Sequence, residues 1–272
     1  MKVFISADIE GISGVVSKAH TTSQGYDYQR ARMLMTQEVN AAIEGALDAG
    51  AEEILVNDAH GSMTNILIEE LNPKASLITG TPKMLGMMEG IDSSFDAALF
   101  IGYHSRMNSS GILSHTYYGS VVSDITINGK ASGEFYINAS VAGSFGVPVV
   151  LVSGDDVLKE EVLDINEDIE SVVVKSAQGR YAAQCIAPLN ARNLIRERTR
   201  EALNQIEKIK ITQTEGPIEL KIRFLNSGFA EVASLMPRTT LAESSVVAYT
   251  AENIVECYRA VMALIKIAAS LL

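Results

Sequence analysis

The sequence predicts an α/β fold, with a mainly parallel sheet covered by helices on both faces and a smaller mixed α+β part towards the C-terminus. Three observations carry this expectation. Apolar runs of strand length alternate with segments of helical period over the first 160 residues, the pattern of a parallel sheet with crossover helices. The runs Ala97–Gly102 and Val147–Val152 are almost entirely apolar, as strands buried on both faces are. Beyond residue 160 the alternation loosens, and shorter strands with alternating polarity take over. A catalytic core over 1–160 and a C-terminal part over 161–272 packed on it are therefore expected.

Lys2–Ala7 is a short β-rich run and opens the fold. Tyr26–Ala49 has helical period, with Ala31, Leu34, Met35, Val39, Ala42 and Ala46 on one stripe and Gly50 as the stop. Glu53–Val56 is the next strand. Ile66–Leu71 reads as a helix closed by Pro73, Ser76–Thr79 as a short strand and Pro82–Met88 as a short helix. Ala97–Gly102 follows as a buried strand. Ile125–Ile127 runs into Asn128-Gly129, the pair that best fits a tight hairpin turn. Glu134–Phe145 reads as a helix and Val147–Val152 as a strand. In the second half, Val172–Val174 is a strand and Asn190–Lys208 a charged amphipathic helix. Ile218–Phe224 and Val246–Tyr249 fit antiparallel strands, and Ala251–Leu271 is the closing helix.

Composition narrows the function. Hydrophobic residues make up 47% and charged residues 20%, without long blocks of one sign, so the chain can bury a core. A formal net charge of −11 opposes binding to nucleic acid and to anionic membrane surfaces. Cys185 and Cys257 are read as buried free thiols in a reducing compartment. Asp8 and Glu10 interrupt the first apolar run too early for a signal peptide, and Glu256, Arg259 and Lys266 break up the last helix. A cytoplasmic protein is expected.

Chemistry gathers where the early strands end. The first ends in Asp8-Ile9-Glu10, whose alternate side chains share a face. The second ends in Asn57-Asp58-Ala59-His60, and the run at 97–102 leads to Tyr103-His104. Ligand sites in open parallel sheets form outside these carboxyl ends. Adjacent carboxylates repel, and burying them needs compensation, which a divalent cation supplies. Mixed carboxylate and imidazole donors suit zinc. Glu134 follows Gly133 at a helix start and can add another oxygen.

Structural alternatives stand beside each of these. Asp8 and Glu10 can instead accept backbone amides of the Gly11–Gly14 turn, His60 can cap a turn, and His104 can be a satisfied loop histidine. His115, in Leu113-Ser114-His115, is open to a structural role or to that of nucleophile, general base or transition-state stabiliser. Asp155 or Asp156 is expected to cap a helix or to support a metal-bound histidine. His20 receives no role. Gly11-Ile12-Ser13-Gly14 lacks the spacing of a dinucleotide fingerprint.

Taken together, Ser6-Ala7-Asp8-Ile9-Glu10-Gly11-Ile12-Ser13-Gly14, Val56-Asn57-Asp58-Ala59-His60, Gly102-Tyr103-His104, Leu113-Ser114-His115, Gly133-Glu134 with Asn138, Val152-Ser153-Gly154-Asp155-Asp156 and Leu235-Met236-Pro237 resemble the zinc-dependent D-aminopeptidases of the DppA type. The resemblance runs nearly the whole chain in order and thins beyond residue 160. It implies a metallo-aminopeptidase with two Zn2+ per chain that releases N-terminal D-amino acids from short peptides such as D-Ala-D-Ala. It further implies that Asp8 bridges the metals, that Glu10, His60, His104 and Glu134 complete the ligands, and that His115 is the catalytic residue. A homo-oligomer, a ring-shaped decamer with its sites facing an inner chamber, is implied by the same resemblance. The segment between His115 and Glu134 departs in local sequence, so substrate-pocket detail does not carry over. Two other classes remain open: a metal-dependent amidase or phosphoester hydrolase on the same scaffold, and a non-catalytic module that binds a metal or small ligand.

Overall fold

The computed structural model describes residues 1–272. Its strands in chain order are β1 (Lys2–Ala7), β2 (Glu53–Asp58), β3 (Ala75–Ile78), β4 (Ala97–Ile101), β5 (Val122–Ile127), β6 (Lys130–Ala131), β7 (Val149–Asp155), β8 (Glu170–Gly179), β9 (Ala182–Cys185), β10 (Ile218–Phe224), β11 (Thr239–Glu243) and β12 (Val246–Ala251). Its helices are α1 (Lys18–Thr21), α2 (Tyr28–Asp48), α3 (Glu134–Ser144), α4 (Asp156–Ile165), α5 (Pro188–Leu203), α6 (Ser227–Ala233) and α7 (Ile254–Ala269).

Seven strands form one sheet in the order β3-β2-β1-β4-β7-β8-β9. All its neighbours are parallel except β8 and β9, which pair antiparallel. A second sheet of five strands, β11-β12-β10-β5-β6, is antiparallel throughout. The expected α/β class therefore holds. β4 and β7 at the centre are buried along their whole length, in keeping with the apolar runs Ala97–Ile101 and 149–152.

Two apolar clusters lie on the two faces of the large sheet. One gathers Val3, Ile5, Leu99 and Leu151 with Met35, Val39 and Ile43 of α2 and Ile195 of α5. The other gathers Phe4, Phe100 and Val152 with Phe135 and Ile137 of α3, Leu158 and Val162 of α4, and Tyr258 and Val261 of α7. That second cluster runs on into the antiparallel sheet through Ile125, Ile222 and Val247. The residue-160 boundary falls inside α4; β7 and β8 on either side of it share one sheet, and β5 pairs with β10 in the other.

Several local expectations need correction. Ile66–Leu71 and Pro82–Met88 supply only single 3-10 turns, Ile68–Glu70 and Gly86–Met88, since each is too short to form a stable α-helix beside its proline. Val172–Val174 is the middle of a ten-residue strand, and α1, α6, β9 and β11 were not expected. Cys257 is a buried thiol, but Cys185 is exposed, because it ends an edge strand with no layer over it. The Asn128-Gly129 hairpin is as expected, both residues having the positive φ that its turn requires (51° and 78°). No helix is long and apolar enough to cross a membrane.

Candidate metal centre

The sheet order places β1 between β2 and β4. Asp8 and Glu10 leave β1, His60 leaves β2 and His104 leaves β4, so the two acids stand between two histidines at the carboxyl edge. The chains remain paired past the strand ends. The Asp8 N–H donates to Ile101 O at 2.8 Å, Ala59 N–H to Ala7 O at 2.8 Å and Gly11 N–H to Gly102 O at 2.7 Å. This close crossing needs glycine on both sides. A Cβ on Gly11 would stand 1.9 Å from Tyr103 O, and one on Gly102, where φ is +72°, 2.2 Å from Asp8 O.

Glu134 opens α3 and is buried, with Oε1 accepting the Tyr117 N–H at 2.7 Å. His115 comes from the loop between β4 and β5. The loop holds it between two left-handed residues, Leu113 (φ 55°) and Tyr117 (φ 54°), an uncommon backbone for such side chains. Its ring stacks on His104 with centroids 4.2 Å apart and planes 10° from parallel.

The hydrogen bonds fix which nitrogen of each histidine is available. His60 Nε2 lies 2.7 Å from Thr21 O, His104 Nδ1 2.9 Å from Ser105 O, and His115 Nδ1 3.0 Å from Leu113 O. Carbonyl oxygens only accept, so each of these nitrogens carries a proton. The other nitrogen of each ring faces the acids. His60 Nδ1 is 3.3 Å from Asp8 Oδ1 and 2.9 Å from Glu10 Oε2. His104 Nε2 is 3.5 Å from Asp8 Oδ2 and 3.4 Å from Glu134 Oε1. His115 Nε2 is 3.8 Å from Glu134 Oε1. The two oxygens of Asp8 thus address different histidines.

These spacings match a metal site. Ligand atoms around a tetrahedral zinc with bonds of about 2.0–2.1 Å stand about 3.3 Å apart. Ligand atoms of Asp8, Glu10 and His104 lie within 4.8 Å of one another, as do those of His104, His115 and Glu134. Glu10 Oε2 and His104 Nε2 are buried without a hydrogen bond of proper geometry, which is costly unless something else occupies their lone pairs. Oxygen and imidazole nitrogen donors suit zinc, so the residues fit such an ion.

Charge is tightly coupled here. Burial and the neighbouring Glu10 raise the Asp8 pKa to about 7, against the pull of His60 and His104. Burial also disfavours charge on Glu10 and Glu134, yet the histidines hold both below the usual carboxylate range. Burial would lower the His104 pKa, but Glu134, Asp8 and Glu10 raise it to about 10, and His60 is likewise raised. His115 moves the other way, because burial and the charge on His104 both favour its neutral form.

The sequence model of the M55 peptidase family, described as D-aminopeptidase, matches residues 1–263. The chain belongs to this D-aminopeptidase family. It is 38% identical over 271 residues to the D-aminopeptidase of Bacillus subtilis (strain 168), covering 98% of each chain. Among solved structures it is similar to the Zn-dependent D-aminopeptidase DppA from Bacillus subtilis, described as a self-compartmentalizing protease. The TM-score is 0.97 at 37% identity, over 99% of this chain and 98% of that one. Family membership makes the chain a hydrolase of the peptidase class.

All six residues singled out in the sequence gather at this edge of the D-aminopeptidase fold. The purely structural readings account for them only in part. Asp8 Oδ1 accepts the Ile9 N–H at 2.8 Å, but the Ser13 N–H of the glycine-containing turn goes to Glu38 at 2.9 Å rather than to Glu10. Asp155 caps α4 through Leu158 N–H at 2.8 Å and accepts Ile112 N–H at 2.7 Å, touching no histidine. Asp156 accepts the Ala177 N–H at 2.8 Å. His20 Nδ1 accepts from Val16 N–H and Ser17 N–H, both at 3.2 Å, and so caps the first turn of the short α1.

Two supporting residues escaped the sequence reading. Asp58 accepts Asn65 N–H at 2.5 Å, Ile66 N–H at 2.7 Å and the Asn65 amide at 2.7 Å, and that amide also donates to His60 O at 2.7 Å. It organises the loop that carries His60. Lys175 of β8 is buried and donates to Glu10 O, to Ile12 O at 3.1 Å and to Val15 O at 2.6 Å. Three ammonium protons meet three carbonyls of the loop that carries Glu10. Burial lowers the Lys175 pKa to about 8, so it still holds its third proton at neutral pH. A lone lysine after Val172-Val173-Val174 was the available signal. Lys175→Met leaves these carbonyls dry and unpaired, and should destabilise the fold by on the order of 3 kcal/mol in urea unfolding. An unchanged midpoint and slope would show that the clamp is dispensable.

Proposed function

We propose that this chain is a binuclear zinc aminopeptidase that hydrolyses short peptides with N-terminal D-amino acids, D-Ala-D-Ala among them. Asp8 would be the shared ligand, and Glu10, His60, His104 and Glu134 would complete the set that holds the metals. His115 is the catalytic residue. The observation that carries the ligand reading is the division of Asp8, whose Oδ1 faces His60 at 3.3 Å and Oδ2 faces His104 at 3.5 Å. The D-configured substrate is supported by the family and by the name of the Bacillus relative.

When bound, the metal pair would activate water and polarise the scissile carbonyl. The remaining work belongs to the chain. The backbone carbonyls of Thr21 and Ser105 hold His60 and His104 in one tautomer and one orientation, which raises their value as ligands. Leu113 O holds the Nδ1 proton of His115, leaving its Nε2 lone pair towards the cavity. Because burial and His104 keep His115 neutral, that nitrogen is competent as base or nucleophile at neutral pH. The cavity over these groups has a volume of about 750 Å3, a size that suits a small peptide.

The same proposal extends to assembly and location: a cytoplasmic homo-oligomer, a ring-shaped decamer, in keeping with the self-compartmentalizing relative. Confinement in a chamber would limit access to small peptides, consistent with the cavity.

Metal analysis paired with hydrolysis of D-Ala-D-Ala and L-Ala-L-Ala tests the reading. About two zinc ions per chain and D-selective cleavage are expected. Asp8→Ala should lose both metals, whereas His115→Ala should retain them and lose roughly 10²–10⁴-fold in turnover. Full zinc occupancy in the first variant, or near-native turnover in the second, would contradict these roles. Zinc must also displace the protons that His60 and His104 hold in the metal-free protein. Its apparent affinity should therefore rise with pH, through the Asp8 range near 7 and towards the His104 range near 10. Calorimetry in buffers of different ionisation enthalpy reads the released protons, and a pH-independent affinity would refute the exchange.

A further inference from the structure

We propose that Arg180 recognises the free C-terminal carboxylate of the bound peptide and so selects short, unblocked substrates; this rests on the peptidase reading above. The charges lining the cavity are sorted by depth. Its acids, Asp8, Glu10 and Glu134, are all buried, and its cations, Lys18, Arg180 and Lys266, are all exposed. An aminopeptidase presents the substrate N-terminus to the reacting groups, so the other end of a short peptide points to this basic mouth.

Arg180 is the cation that the fold fixes in place. It sits in the two-residue turn between β8 and β9, and its carbonyl accepts the Leu113 N–H at 2.9 Å. Its Nη1 donates to the buried Ser114 Oγ at 2.8 Å, one residue from His115. Its Nε donates to Tyr181 Oη at 3.3 Å, which leaves Nη2 uncommitted. In a chain with 33 acidic and 22 basic residues, this guanidinium has hydroxyl partners and no carboxylate. An arginine with two of its five N–H groups held in place, lining the cavity with Nη2 and the second Nη1 proton unused, is ready for a planar carboxylate, which it pairs with better than lysine does.

The test compares D-Ala-D-Ala with its C-terminal amide on the zinc-loaded enzyme. The wild type should favour the free acid by roughly ten- to hundredfold in kcat/KM, chiefly through KM, the range of one charge-assisted contact. Arg180→Met should bring the two peptides to nearly equal kcat/KM, and Arg180→Lys should restore part of the preference. No preference in the wild type, or a preference that survives in Arg180→Met, would overturn the proposal. Calorimetric binding of both peptides to zinc-loaded His115→Ala, with and without Arg180→Met, separates this proposal from the peptidase reading. A wild type that cleaves neither peptide rejects the peptidase reading, and the titration then decides on Arg180. Acid-selective binding that disappears in Arg180→Met supports the role, and equal or absent binding of the two peptides removes it.

Discussion

Three buried carboxylates share one edge of a parallel sheet, and their mutual repulsion is the constraint around which the surrounding loops are organised. Desolvating each costs several kcal/mol unless a positive charge lies at hand. Asp8 shows the strain most directly, since burial and Glu10 push its pKa to about 7. The protein meets this with imidazoles whose far nitrogens are tied to backbone carbonyls, so the near nitrogens can turn nowhere but towards the acids. Without metal, protons on His60 and His104 balance the cluster. Bound zinc would replace those protons at nearly the same spacings.

Such a cluster persists only on loops that cannot relax. Strand pairing continues past the sheet edge, and two glycines let the Asp8 and Gly102 segments cross at backbone contact. Lys175 holds the Glu10 loop from below, and Asp58 holds the His60 loop from beside it. α3 brings Glu134 in at its first turn, where the helix dipole favours a carboxylate. The helices and the second sheet keep water from the underside through a continuous apolar cluster.

Asp8, Glu10, His60 and His104 were legible in the sequence because strand ends are legible, and because strands alternate with helices up to residue 160; His115, in a loop, drew its role only from the family resemblance. Alternation on a strand put Asp8 and Glu10 on one face, and Gly133 marked the helix start before Glu134. What stayed hidden depends on contacts between distant segments. Nothing local announces that β2 and β4 flank β1, which decides which oxygen of Asp8 meets which histidine. The antiparallel sheet joins β5 to β10 across nearly a hundred residues, a pairing that no local pattern announces, and β11 is mostly exposed and so lacks a periodic signal. Lys175 interrupts an apolar strand, and only the fold shows the three carbonyls that receive it. Cys185 was misplaced for a related reason, since residue type says nothing about lying on an uncovered edge.

The most direct test of this account is anomalous diffraction at the zinc edge from crystals of the zinc-loaded protein. Two peaks should flank the Asp8 carboxylate, one beside His60 and Glu10 and the other beside His104 and Glu134. A single peak, or zinc bound away from Asp8, would contradict the shared-carboxylate centre on which the account rests.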